Sequence, residues 1–144
     1  MGYSMETKQY LNQISLLDRK INSLMATISE QRVLALSLGA LDYGEKVQTT
    51  PNFDKIGTKI AKLDRLERDL DALVDEYADK KAKIIGQIQK MDDELLYTVL
   101  FSRYVEKKTF EKIATEINYS YRQTTRLHGN ALRAFEILYG EEYK

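Results

Sequence analysis

The chain contains no cysteine, which removes disulfides and thiolate metal ligands and fits a reducing compartment, so a cytoplasmic setting is expected. Proline occurs once, at Pro51, and tryptophan is absent. With so few obligatory breaks, long helices are the natural outcome. Nowhere do about 18 apolar residues run together, so no membrane-spanning helix is expected. The stretch from Met1 to Leu11 is polar and lacks the apolar block of a secretory signal, so secretion is not expected either. A charge excess is missing as well: 22 basic and 22 acidic residues cancel, whereas proteins that neutralise phosphates usually carry surplus positive charge. There is no Gly-rich phosphate loop, nucleophile elbow or carboxylate pair beside a histidine, so neither enzyme activity nor a cofactor is expected. The single histidine, His128, has no cysteine or clustered carboxylates to make a metal site with, and reads as a surface residue or one flanking a contact surface.

What remains is 43% apolar and 31% charged residues arranged with helical spacing. Leu11, Ile14, Leu17, Ile21, Leu24 and Ile28 recur at steps of three and four, which predicts an amphipathic helix from Met5 to about Leu38. Gly39, Asp42, Gly44, Thr49, Thr50, Pro51 and Asn52 favour turns and predict a loop of about a dozen residues. From Phe53 the pattern resumes through Ile56, Ile60, Leu63, Leu66, Leu70, Leu73, Tyr77, Ile84, Ile88 and Met91. Two helices of about 50 Å that cannot stand alone in water pack on each other as a coiled-coil-like antiparallel hairpin. Asp64, Arg65, Glu67, Arg68 and Asp69 then form a solvated flank. The ten tyrosines are scattered, fall mostly at core spacing and are read as packing residues. Asp92 and Asp93 precede the apolar run Leu95, Leu96, Val99, Leu100 and Tyr104, where either a new helix begins or the long helix runs on, since nothing between Gln89 and Leu95 forbids helix. The expected division is therefore a hairpin over 1–91 and a second domain over 92–144.

That second domain carries the informative local signals. Thr109 can cap a helix from Phe110 to Ile117 whose buried stripe is Phe110, Ile113, Ala114 and Ile117. Small Ala114 lets the next helix approach closely. Asn118 tolerates a left-handed turn, with Tyr119 expected to tuck inward beside it. Ser120 with Gln123 three positions later has the spacing of a capping box. Beyond it, Thr124, Leu127, Ala131, Leu132, Phe135, Leu138 and Tyr139 are assigned to the core, which leaves Tyr121, Arg122, Gln123, Thr125 and Arg126 to solvent. Long donors on the first turns of such a helix suit the edges of guanine and adenine in a major groove. From Arg103 to Arg133 seven basic residues (Arg103, Lys107, Lys108, Lys112, Arg122, Arg126, Arg133) face three acids (Glu106, Glu111, Glu116). The neutral whole thus hides a local excess of four positive charges.

The run Thr109-Phe110-Glu111-Lys112-Ile113-Ala114-Thr115-Glu116-Ile117-Asn118-Tyr119-Ser120, followed by Arg122, Arg126, Ala131 and Leu132, resembles the helix-turn-helix of sigma-factor region 4. Arg103-Tyr104-Val105, Tyr119-Ser120 and Arg126-Leu127-His128 are similar to small sigma-like regulators encoded by phages and prophages of Firmicutes. The N-terminal helices and Val47-Gln48-Thr49-Thr50-Pro51 share that likeness. Region 4 usually has Gly where Asn118 stands and an aliphatic residue where Thr124 stands, and nothing here matches the promoter-melting region of sigma factors. The resemblance implies an all-α protein, a long hairpin followed by a helix-turn-helix, that binds double-stranded DNA near promoters, with RNA polymerase as a further partner. The residues expected to touch DNA are Arg122, Gln123 and Arg126, then Thr125, Tyr121 and Ser120. Lys107 and Lys108 are expected to reach the phosphate backbone. The hairpin is assigned to self-association or polymerase contact. The rival reading is an adaptor that uses the same fold for protein contact alone.

Overall fold

A computed structural model describes residues 5–44 and 53–144. Among them there is no strand. The helices are α1 (Met5–Leu11), α2 (Gln13–Gly44), α3 (Phe53–Gln89), α4 (Glu94–Leu100), α5 (Phe110–Ile117) and α6 (Tyr121–Tyr143), and α4 runs on into a π-helical turn at Phe101–Val105. None of them is long and apolar enough to cross a membrane.

The expected first helix is present as α1 and α2. Helical hydrogen bonds bridge the junction, from Asn12 N–H to Lys8 O at 2.9 Å and from Leu16 N–H to Asn12 O at 3.0 Å. It does not stop near Leu38 but continues through Gly39 and Asp42 to Gly44. An isolated glycine disfavours helix by only about 1 kcal/mol, too little to end one. The rest of the expected loop, from 45 to 52, lies outside the described residues.

α3 doubles back along α2. Arg32, twelve residues short of Gly44, is ion-paired with Glu67, fourteen residues beyond Phe53. Two helices joined at similar distances from their connection run antiparallel, as expected. α3 ends at Gln89, and Asp93 caps α4 by accepting from the backbone N–H groups of Leu95 and Leu96 at 2.9 and 3.1 Å. This satisfies the free amides of the first turn.

The compact units of the chain divide differently from the expected boundary at 91/92. The chain up to Leu17 and from Tyr77 onward forms one unit, and Asp18–Glu76 forms the other. The reason lies in one core. Leu11 and Ile14 from the N-terminal helices and Ile84, Ile88 and Met91 from α3 and its end are buried together with Leu100, Tyr104, Ala131, Leu132 and Phe135. Residues whose periodicity suits a hairpin seam thus complete the C-terminal unit.

Polar contacts fix the same arrangement. Thr7 and Tyr143 share a hydrogen bond of 2.6 Å between their hydroxyls. Tyr10 Oη donates to Gln87 Oε1 at 2.6 Å, and Gln87 Nε2 donates to Glu142 Oε2 at 2.6 Å. The rings of Tyr10 and Tyr143 stack with centroids 4.3 Å apart. Both tyrosine hydroxyls are raised above their ordinary pKa, first of all by burial.

Leu11→Ala removes a fully buried side chain and is expected to destabilise this unit by about 2–5 kcal/mol. Urea unfolding followed by circular dichroism measures the loss, and hydrogen exchange should report faster opening of α6. If the amides of α6 keep their protection, α1 is not part of this core.

Candidate nucleic-acid interface

The helix-turn-helix forms as its local signals require. Thr109 is extended and accepts from Lys112 N–H at 3.2 Å, which caps α5. Ile113 and Ala114 are buried, while Phe110 and Ile117 at the ends of the stripe are half-buried. Asn118 closes α5 in the left-handed conformation, at φ 60° and ψ 41°. The N–H of Tyr119 reaches back to Ala114 O at 3.0 Å. Asparagine tolerates this conformation at small cost, so the departure from glycine at 118 leaves the turn intact.

Ser120 opens α6 with both arms of a capping box. Its Oγ accepts from Gln123 N–H at 3.1 Å, and its N–H donates to Gln123 Oε1 at 3.0 Å. Thr124 is buried, and its hydroxyl donates to Ser120 O at 2.8 Å. A satisfied hydroxyl costs little to bury, which accounts for a polar residue where an aliphatic one is usual.

Apart from Lys107 and Lys108, which precede α5, the expected contact residues share the start of α6, and two members of the full set differ in what they can offer. Tyr121, Arg122, Gln123 and Arg126 are exposed, and among the described residues neither Arg122 nor Arg126 is paired with a carboxylate. Tyr121 meets Phe110 edge-on at 6.4 Å. Thr125 is half-buried and donates to Arg122 O at 2.9 Å. Gln123 is the first difference: its Oε1 already serves the cap, so a paired contact with adenine would require the amide to leave Ser120, at a cost of about 1 kcal/mol.

Lys108 is the second. Its Nζ donates to Glu116 Oε2 at 2.9 Å and lies 3.2 Å from Glu106 Oε2. The Glu116 hydrogen bond, with Glu106 beside it, pushes the ammonium above its ordinary pKa. Lys108 is therefore a staple between α5 and the segment before it rather than an open phosphate contact. Lys107 is exposed and, with φ 60°, is the other non-glycine residue described in the left-handed region.

Arg103 also works internally. Its guanidinium lies 4.2 Å from the Phe110 ring centroid, and its Nη1 donates to Lys108 O at 3.0 Å. The exposed cations of the segment are then Lys107, Lys112, Arg122, Arg126 and Arg133. Arg122, Arg126 and Arg133 fall at steps of four and seven, on one side of α6. Arg133, hydrogen-bonded to Asn130, extends the basic line beyond the residues that motif position alone picks out.

Three side chains stand opposite to expectation. Tyr119 is exposed rather than tucked inward, because the left-handed Asn118 ends the helical register that would have turned it to the core. Leu138 is exposed, since the last turns of α6 bury the other side, where the rings of Phe135 and Tyr139 pack with centroids 5.1 Å apart. His128 is no surface residue: only 5% exposed, it is hydrogen-bonded through Nε2 to Tyr104 Oη at 2.7 Å and meets the Phe110 ring edge-on at 4.9 Å. Tyr104, in the π-helical segment, supplies the partner that sequence spacing does not reveal. Comparison with protein-family models, with curated proteins and with solved structures gives no match for this chain.

Burial first, and then the nearby charges of Lys8 and Arg103, lower the pKa of His128 from 6.5 to about 4. The unfolded chain takes up this proton more readily than the folded one. The neutral imidazole's contribution is therefore complete above pH 6.5 and is lost as pH falls toward 4. Thermal unfolding should show a loss of about 2 kcal/mol between pH 7 and pH 5. His128→Gln should flatten that dependence; a slope that survives the substitution assigns it to other groups.

Proposed function

We propose that this protein is a sequence-specific, double-stranded DNA-binding transcription regulator of the sigma region 4-like kind, cytoplasmic and phage or prophage encoded, that places the start of α6 in the major groove. The supporting observation is the open pair Arg122 and Arg126 on the first turns of a capped helix whose opposite side is buried. A rigid, preorganised helix loses little freedom when its side chains engage bases. Arg122 and Arg126 are assigned to guanine edges or adjoining phosphates. Lys107, Lys112 and Arg133 are assigned to the backbone, where contacts set register and affinity rather than sequence preference. Ser120 and Thr125 hold the local geometry, and Tyr121 borders the contact surface. RNA polymerase remains the proposed protein partner, as the resemblance to region 4 implies.

Selection from random duplexes should enrich a motif. Against that motif Arg122→Ala and Arg126→Ala should each lose about 1–3 kcal/mol of binding. Where either arginine contacts a phosphate, the dependence of log affinity on log salt should become shallower by about one. Lys108→Ala should leave affinity nearly unchanged. A protein that retains no duplex at low salt, and is indifferent to both arginines, is an adaptor rather than a regulator.

A further inference from the structure

Within the unit Asp18–Glu76, two helices share a thin core. Ile21 and Ile28 of α2 are buried, but Leu63, Leu66, Leu70 and Leu73 of α3 are only half-buried. Among the described residues six large apolar side chains of this unit lie open, four of which matter here: Met25 at 52%, Leu36 at 75%, Ile60 at 59% and Val74 at 43% exposure. Their positions form a pattern. On α2, Met25, Arg32 and Leu36 fall at steps of seven and four; on α3, Ile60, Glu67 and Val74 fall at steps of seven. Each set occupies one helix face. Because Arg32 and Glu67 pair with each other, both stripes open on the same side of the hairpin.

Height along the hairpin is fixed by the same ion pair. Met25 is seven residues before Arg32 and Val74 seven after Glu67, so on antiparallel helices they stand level, about 10 Å to one side of it. Leu36 and Ile60 stand to the other side. The face therefore reads apolar, charged, apolar.

We propose that this face is where a second copy of the chain docks, closing two hairpins into a four-helix bundle about a two-fold axis parallel to the helices. Such an axis lays α2 on the partner's α3. Met25 meets the partner's Val74, Leu36 meets the partner's Ile60, and Arg32 meets the partner's Glu67. The two ion pairs then form a square with unlike charges along every edge. A two-fold axis running across the helices would instead set Glu67 on the partner's Glu67 and Arg32 on the partner's Arg32. Charge complementarity thus selects both the occupant and its orientation, and every helix acquires only antiparallel neighbours, the arrangement of up-down bundles.

The area suffices. About 20 residues of each helix give a face of about 30 by 20 Å, or about 1,200 Å² in total once two copies meet, the lower end for stable specific interfaces. Val33 and Leu34, also exposed, lie off this face and take no part.

Sedimentation equilibrium of the full chain without DNA should give the mass of a dimer. Ile60→Glu, at an exposed position, should give a monomer with an unchanged circular dichroism spectrum. The chain has no cysteine of its own, so Met25→Cys and Val74→Cys proteins can be mixed and mildly oxidised. A disulfide-linked pair should form in the mixture and in neither protein alone. A monomeric wild type, a dimer that survives Ile60→Glu, or a crosslink in Val74→Cys alone would each overturn the proposal. All three readouts are taken without nucleic acid, so their outcome is separate from that of DNA binding.

Discussion

One buried imidazole ties together the three elements of the C-terminal module. His128 on α6 has the Tyr104 hydroxyl from the π-helical segment as its hydrogen-bond partner and takes the edge of Phe110 from α5. An unpaired ring nitrogen in this position would leave a desolvated polar group, and a charged one would sit among Lys8 and Arg103. The site therefore favours the neutral imidazole, with the Tyr104 hydroxyl as its partner. This contact fixes the rotation of α6 about its axis, and with it the side on which Arg122 and Arg126 emerge. The π-helical turn serves the same end: Glu106 N–H bonds to Phe101 O at 3.0 Å, five residues back. The wider turn displaces the downstream chain, from Lys107 to α5, relative to the path of a regular α-helix. Arg103 then covers Phe110 from outside and holds the carbonyl of Lys108.

Signals confined to a few neighbouring residues were legible in the sequence. The caps at Asp93, Thr109 and Ser120, the left-handed Asn118 and the exposure of Arg122 and Arg126 all arise from contacts within one turn. What escaped was non-local. Thr7 and Tyr143 meet across 136 positions, and no periodicity encodes that meeting. Leu11 and Ile84 have the spacing of a hairpin seam whether they face one another or a third helix. His128 looked superficial because its partner, Tyr104, lies 24 residues away. Lys108 looked available because Glu116, eight residues on, comes near it only when α5 folds back. The glycines near position 40 misled in the other direction, since a weak helix former does not by itself terminate a helix already under way.

Charge shows a similar separation between local and global description. The balanced total would give a weak long-range attraction to phosphate. With Arg103 and Lys108 engaged internally, the cations presented by the module are fewer than a count of the segment suggests. In the proposed regulator, discrimination then depends on a small number of well-held side chains, and stable occupancy on joining more than one module.

The packing of α1 against α6 also orders events in time. During synthesis α1 leaves the ribosome before α6, so Leu11 and Ile14 wait for Ala131, Leu132 and Phe135 before their shared core can close. At translation rates of about 5–20 residues per second, that interval is on the order of ten seconds. The hairpin, made from consecutive residues, can form within it; the module that carries the basic line cannot. A nascent chain interrupted between α3 and α6 would leave Leu11 and Ile14 without the side chains of α6 that bury them.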